Sequence, residues 1–328
     1  MAITAKTSPS VLGSSNYPQY SYNANPSGSA FIPEIWSGKL QVKFYKSTVL
    51  GEITNNDWEG EIKGAGDKVF IRTIPTITIR DYQKGQSLVN EAPTSPPIEL
   101  TIDHGKYFSV VVDDVDEVQA DVKLMDIFTN DAAEQMKIVI DADVLGGVYG
   151  DIAAANKGAT AGAASAALDF GVAGTPRVVT KEDVLDLILD LGLALDEQNV
   201  PEEGRWAVIP PWMAAVLKNS DLKQAYLTGD DQSTLRNGKV GSVDRFTIYT
   251  SNNLDKDGTG ATAEYTVLAG TRDAISFASQ ITNVETLRSE STFGHIVRGL
   301  NVYGYSVTKP EAIVGAIVAK SAAGGSGA

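Results

Sequence analysis

The chain offers few side chains able to do covalent chemistry. It has no cysteine and only two histidines, His104 and His295, in 328 residues. Without thiols there are no disulfides, thiolate metal sites or cysteine nucleophiles. A zinc site would have to be mostly carboxylate, against the usual donor set. His104 falls on the polar face of a strand pattern, where a surface or hinge histidine is the ordinary reading. His295, in Phe293-Gly294-His295, sits where the chain is expected to change direction. Two histidines in separate segments define no triad, because any serine and aspartate could be nominated to complete one. No P-loop is present, and no glycine triplet with dinucleotide spacing opens a helix.

Carboxylates are the abundant reactive groups, and they are unevenly placed. The net charge is −14, yet residues 113–204 alone carry 20 acidic and 5 basic side chains. The flanking segments are close to neutral. A basic patch for reading nucleic acid is absent, as is a polybasic surface for a membrane. No stretch approaches the ~20 apolar residues of a membrane span. Asp113, Asp114, Asp116 and Glu117 could bind a divalent ion, but such a run more often marks a solvated helix entry, where carboxylates meet the positive end of the dipole. Asp255, Asp257 and Gly258 resemble the opening of a calcium loop. The bidentate acid required at the twelfth position is Thr266, and glycine arrives at the fourth position instead of the sixth. The Asp-Gly chemistry of a hairpin turn explains that segment better. No catalytic constellation or cofactor site emerges.

The elements that must position these residues suggest roughly two domains of ~100–200 residues. Residues 1–30 are rich in Ser, Asn, Tyr, Pro and Gly without apolar period. They read as an extended arm, either a disordered terminus or a segment that orders on a neighbouring subunit. Pro33 can open a short helix carrying Ile35, Trp36, Leu40 and Phe44. Ile77 and Ile79, then Ile98, Leu100 and Ile102, alternate with polar residues as half-exposed strands do. Between the two runs lies Gln83–Pro97, a tip too long for an idle connection. The expected product is an extended hairpin that reaches another subunit.

A long amphipathic helix is expected from about Val118 to Ile152. Its stripe would be Val118, Val122, Met125, Phe128, Ala132, Met136 and Val139, with Gly146 and Gly147 bending its end. At ~1.5 Å per residue it would be a rod of about 50 Å. Residues 153–174 read as a flexible loop or small-residue crossing. Thr180 with Asp183 looks like a variant capping box, opening a helix with Val184, Leu187, Ile188, Leu191 and Leu195 on one face. Trp206–Ile209 reads as a strand stopped by Pro210-Pro211 before another helix, and Phe246–Thr250 and Tyr265–Ala269 as further strands. A small-residue helix is expected around Ala274, Phe277 and Ala278. Strand alternation returns at Leu300, Val302 and Val307.

Four segments of the last third, in order, are RWAVIPPWMAAVL, GKVGSVDRFTIYTSNNL, VLAGTRDAISFASQITNVETLR and FGHIVRGLNVYGYSVTKPEAI. Each is weak alone. Together, after the arm, hairpin and long helix, they make the chain resemble the major capsid proteins of tailed bacteriophages, over about residues 30–315. The resemblance implies an α+β, Hong Kong 97-like fold. The parts it implies are an N-terminal arm (1–32), an N-terminal helix region (33–58), the long hairpin or E-loop (59–108) and a peripheral domain with a spine helix (109–175). An axial domain (176–268), a return to the peripheral domain (269–316) and a flexible tail (317–328) follow.

The function so implied is mechanical: hexamers and pentamers tiling an icosahedral shell around double-stranded DNA, with no cofactor, metal, membrane or enzymatic step. The implied partners are copies of the chain, a separate scaffolding protein, a portal and a decoration protein, with assembly in the bacterial cytoplasm and residence in the virion. Tyr82, Lys84, Gln86, Glu91 and Arg298 are candidate inter-subunit contacts, Arg298 because Arg-Gly precedes an apolar strand. Some relatives cross-link a hairpin lysine to a neighbour's asparagine; Lys84 lies near the tip, but no asparagine can be matched to it. Asp121, Asp126 and Asp131 are candidate lumen-facing acids that would repel DNA. Two other functions compete: an encapsulin-like compartment shell, and a hydrolase using two facing carboxylates.

Overall fold

The computed structural model describes residues 45–46, 48–58, 68–75, 77–88, 90–95, 97–113, 124–220, 241–260, 263–290 and 293–321. The expected arm, the helix around Ile35–Phe44, Asp121 and the acidic run from Asp114 to Glu117 lie outside these residues. The elements in chain order begin with α1 (Leu50–Ile53), β1 (Lys68–Ile71), β2 (Ile98–Thr101), β3 (His104–Asp113) and α2 (Leu124–Asp151). Then come β4 (Arg177–Val179), α3 (Asp183–Glu197), β5 (Arg205–Ile209), α4 (Pro211–Lys218), β6 (Ser242–Val243) and β7 (Phe246–Thr250). The remaining strands are β8 (Lys256–Asp257), β9 (Glu264–Thr271), β10 (Ile275–Arg288), β11 (Gly294–Val307) and β12 (Ile313–Lys320).

A large mixed sheet has the order β4-β12-β9-β5-β7-β6, with β8 joined to β9. Every residue of β5 is buried, and its two faces serve different cores. Ala207 and Ile209 pack with α3 and α4 through Leu187, Leu191, Met213 and Leu217. Trp206 and Val208 pack on the other side with Val144, Leu145 and Val148 of α2. A sheet covered on both faces demands unbroken apolar strands, and Trp206-Ala-Val-Ile209 and Ile313-Val-Gly-Ala-Ile-Val-Ala319 supply them. The five core leucine, isoleucine and valine residues of α3 are all buried as the stripe requires, each stabilising by roughly 1.5–3 kcal/mol.

A second sheet, β10-β11-β3, is antiparallel throughout. One face lies on α2: the Tyr303 hydroxyl donates to Asp143 at 2.5 Å, and Tyr305 occupies the space a Cβ on Gly147 would need. The other face is covered at one end by β1 and β2, an antiparallel pair, through Ile71, Leu100, Ile102 and Ala278, with Val302 alongside.

Several expectations change. The helix α2 runs unbroken through Gly146 and Gly147; Gly147 serves as a seat for Tyr305 and not as a bend. Its 28 described residues give a rod of about 42 Å. Its buried stripe is Ile140, Val144, Leu145 and Val148, while Phe128 and Val139 are exposed. The run at Ile77–Ile79 forms no ladder among the described residues; side chains join it to the returning pass. The segment around Ala274–Ala278 is a short 3-10 turn (Arg272–Ala274) leading into β10, not a small-residue helix; pairing with β11 overrides the local composition. Residues 153–174 are an ordered crossing, with Ala161 and Phe170 fully buried and Gly171 at φ +70° where Ile317 O and Arg177 N leave no room for a Cβ. The expected tail from 317 begins inside β12, with Ile317, Val318 and Ala319 buried, since this strand completes the large sheet between β4 and β9.

Candidate functional site

No cluster among the described residues invites catalysis. No group of three or more His, Asp or Glu residues that could hold a metal ion occurs among them, and no described helix is long and apolar enough to cross a membrane. A cavity of about 410 Å³ opens between the end of α3 and the β9–β10 and β11–β12 connections. Its Asp273 lies 3.5 Å from Lys309, and Arg272 donates to Thr54 O at 2.9 Å, so these groups tie connections together.

The feature that stands apart is the limb that β1 and β2 support. Beyond the four-residue ladder the chain continues outward and returns without a strand ladder among the described residues. Side chains zip the two passes. Thr73 meets Ser95, and Glu91 accepts from the Thr78 N–H at 3.3 Å and its hydroxyl at 3.1 Å. The turn is Lys84-Gly85, with Gly85 at φ +88°, a value glycine reaches without strain. Gln86 closes it: its Oε1 accepts from Gln83 N–H at 3.1 Å, and its own N–H donates to Gln83 O at 3.0 Å. Lys84 and Gln86 therefore form the tip, Tyr82 projects beside it, and Glu91 is a strut. Ile74, Ile77, Ile79, Tyr82 and Leu88 are all exposed. Isolated exposed apolar residues are ordinary; here five lie along one thin limb.

Arg298 has a carboxylate partner within its own chain. It stands opposite Glu285 across β11 and β10 and donates to it at 2.8 and 3.1 Å. Both side chains are exposed. Asp126 is exposed, and half-buried Asp131 accepts from the Tyr45 hydroxyl at 2.9 Å; that bond pushes the tyrosine hydroxyl up from its ordinary value. Thr180 accepts from the N–H groups of Glu182 and Asp183 at 3.3 Å, so it serves the entry to α3 from just ahead of the helix.

The groups that hold the body rigid under the limb were not singled out in the sequence. Fully buried Asp141 on α2 accepts from the N–H groups of Val49 (3.0 Å) and Leu50 (3.1 Å) and from Asn253 Nδ2 (2.6 Å). It thereby joins α1 and the segment after β7 to the spine. Buried Arg205 donates to Pro201 O, Val200 O and Asp196, and Arg245 grips both oxygens of Asp196 at 3.1 and 2.7 Å. Burial would raise Asp196, but hydrogen bonds from Arg245 and Arg205 outweigh it and hold the carboxyl below its ordinary value. Glu197 is likewise lowered, chiefly by the Ala164 N–H at 2.8 Å, and pins the small-residue crossing to α3. Burial, and then the bond to Asp143, push the Tyr303 hydroxyl well up. The sequence signal for these locks was weak, because each partner is far away along the chain.

An extended limb with exposed apolar residues, carried on a body held by internal ion pairs, is the form expected of a building block of a protein assembly. Comparison with known proteins agrees. A family model described as phage capsid protein matches residues 97–316. A solved structure from Mycobacterium phage Che8 is 29% identical, with TM-score 0.71, covering 88% of this chain and 97% of that one. The capsid structure of the Cyanophage P-SCSP1u is 16% identical, with TM-score 0.66 and coverage of 94% and 99%. The bacteriophage PhiM1 mature capsid is 15% identical, with TM-score 0.63 and coverage of 93% and 97%. No curated protein matches. The chain belongs to the phage capsid protein family, as a major capsid protein whose role is structural and whose place is the virion shell, where it associates with copies of itself. The α+β, Hong Kong 97-like fold expected from the sequence is the fold found.

Proposed function

We propose that the chain assembles as hexamers and pentamers into an icosahedral head around double-stranded DNA, with the limb as the bridge between neighbouring subunits. The observation that carries this reading is the limb itself: a side-chain-zipped ribbon whose Ile74, Ile77, Ile79, Tyr82 and Leu88 are exposed in the single chain. Tyr82, Lys84, Gln86 and Glu91 act at or near its tip. The body divides into a peripheral part built on α2 and the β10-β11-β3 sheet, and an axial part built on the large sheet with α3 and α4. A scaffolding protein, a portal and a decoration protein complete the assembly pathway, which runs in the host cytoplasm.

The acidic N-terminal half of the spine faces the lumen in this reading. Asp121, Asp126 and Asp131 then repel DNA phosphates during packaging, a sequence-independent effect that salt weakens. The test of the bridge is deletion of residues 84–95. The expected product is a folded subunit, because none of the three cores includes that segment, that no longer forms shells in negative-stain electron microscopy. Normal shells from the deletion would refute the bridging role.

A further inference from the structure

The hairpin after β7 carries the one Asp-Gly pair of the sequence, Asp257-Gly258, outside the three cores. Its base is anchored. Leu254 and Ala263 are buried, and the Thr266 N–H donates to Asp255 O at 3.1 Å. From Asp255 to Gly260 every residue is exposed. Around Asp257 little restrains the side chain. No hydrogen bond or ion pair holds its carboxylate among the described residues. Opposite it across the ladder stands Glu264, a like charge that weakens the pairing, and the Glu264 carboxylate is turned to the Gly174 N–H at 3.1 and 3.2 Å. The adjacent cation, Lys256, lies over the Tyr265 ring at 5.6 Å. Bonded and non-bonded pairs alternate along an antiparallel ladder. Asp255 with Thr266 is a bonded pair, so Asp257 with Glu264 is the next, and the Gly258 N–H falls outside the ladder. Gly258 has no Cβ to shield that nitrogen and stands at φ +77°, where β8 ends.

We infer that Asp257 is a site of spontaneous isomerisation to isoaspartate in the finished shell. The Gly258 backbone nitrogen attacks Cγ of Asp257. A C–N bond forms, and the hydroxyl of the carboxylic acid leaves with the amide hydrogen as water, closing a succinimide ring. Water then adds back to the ring. Opening at the main-chain carbonyl breaks the original bond between Asp257 C and Gly258 N, so the main chain now runs through Cβ and Cγ, and a carboxylate is left on Cα. Nothing is oxidised or reduced, and the water released is the water returned. The chain becomes longer by one atom at this point, and the two-residue strand β8 loses its register. The anchors at Leu254, Asp255 and Ala263 keep the change within the exposed tip. An assembled shell renews none of its subunits, so the product accumulates with the age of the particle.

The test stores purified shells warm at neutral pH for increasing times and digests them with trypsin. The peptides are then labelled by protein isoaspartate methyltransferase with S-adenosylmethionine. The expected result is label that grows with storage time in the fragment ending at Arg272. It should be lost in Asp257→Glu, which keeps the charge but needs a larger ring that closes far more slowly. A fragment that stays unlabelled overturns the site, as does equal label in the Asp257→Glu variant. The one Asn-Gly pair of the sequence, Asn237-Gly238, forms isoaspartate by loss of ammonia and falls in a different fragment; label confined there also overturns the assignment. Negative-stain microscopy of stored parent and variant shells checks where the change stops. Both should remain whole, and breakage of the parent alone overturns the confinement to the tip.

Discussion

Asp141 offers the sharpest test of how the body is held. Its side chain is fully buried and receives three hydrogen bonds, from Val49 N–H, Leu50 N–H and Asn253 Nδ2. Asp141→Ala strands those donors. Each buried unsatisfied donor costs about 1–3 kcal/mol, and water entering the vacated space recovers part of that, so the expected loss is about 3–5 kcal/mol. Against the ~5–15 kcal/mol that holds a typical domain together, this is large. Asp141→Asn keeps an oxygen for the two backbone N–H groups, and Asn253 can rotate to present its own oxygen to the new amide. Only the extra strength of bonds to a charged acceptor is lost, about 1–2 kcal/mol. Guanidinium unfolding of the purified full chain measures both. The midpoint should fall with the slope unchanged, and the Ala variant should fall clearly further than the Asn variant. Equal losses, or a loss under about 1 kcal/mol for Ala, would refute the view that this carboxylate joins the three segments.

Other expectations follow from the same contacts. Asp196 has a lowered carboxyl, so its contribution to stability is present above the ordinary value of 3.8 and is lost as pH falls through the lower folded value; Asp196→Asn should destabilise the chain at pH 7 and converge with the parent in strong acid, and a constant difference across the titration would contradict this. Gly147→Ala places a methyl on the Tyr305 hydroxyl and should cost roughly 1–3 kcal/mol, with Tyr305→Phe in the same chain recovering part of it; strict additivity in a double-mutant cycle would show that the two do not touch. Arg298→Ala removes an exposed ion pair and should shift subunit unfolding by only about 0–1 kcal/mol, so an interfacial role must show as a lower yield of capsomers or less stable shells; no change in either would remove that role.

What the sequence disclosed depends on how local each signal was. The stripe Val184, Leu187, Ile188, Leu191, Leu195 lies within one helix, and Pro210-Pro211 marks the end of β5 by its own covalent chemistry, so both were legible. The limb was legible as a long excursion with Lys84 near its tip, but not its partial lack of pairing. The segment Ile275–Ser279 reads as a small-residue helix until β11, some 30 residues on, supplies the ladder that makes it a strand. Ile313–Ala319 has no alternation because both its faces are buried, and a continuous apolar run carries no period to detect. Asp141 could not be found at all: its partners lie 92, 91 and 112 residues away. Arg298 was legible as a candidate contact, but its exposed partner within the chain, Glu285, stands opposite it only through the β10–β11 register. The outer face of the β10-β11-β3 sheet was hidden for a simpler reason. Tyr107 and Val111 alternate as any half-exposed strand would, and only the register shows that three strands expose apolar residues on the same side.

The position of β12 has a consequence for timing. It is inserted between β4 and β9, yet it is synthesised after both and after every other described strand. A ribosome that has not yet passed residue 313 therefore carries a nascent subunit whose large sheet has a missing plank, with β4 unattached and one edge of β9 bare. Such an open edge pairs promiscuously. A fragment that lacks β12 would therefore present bare strand edges where the whole chain presents a closed sheet.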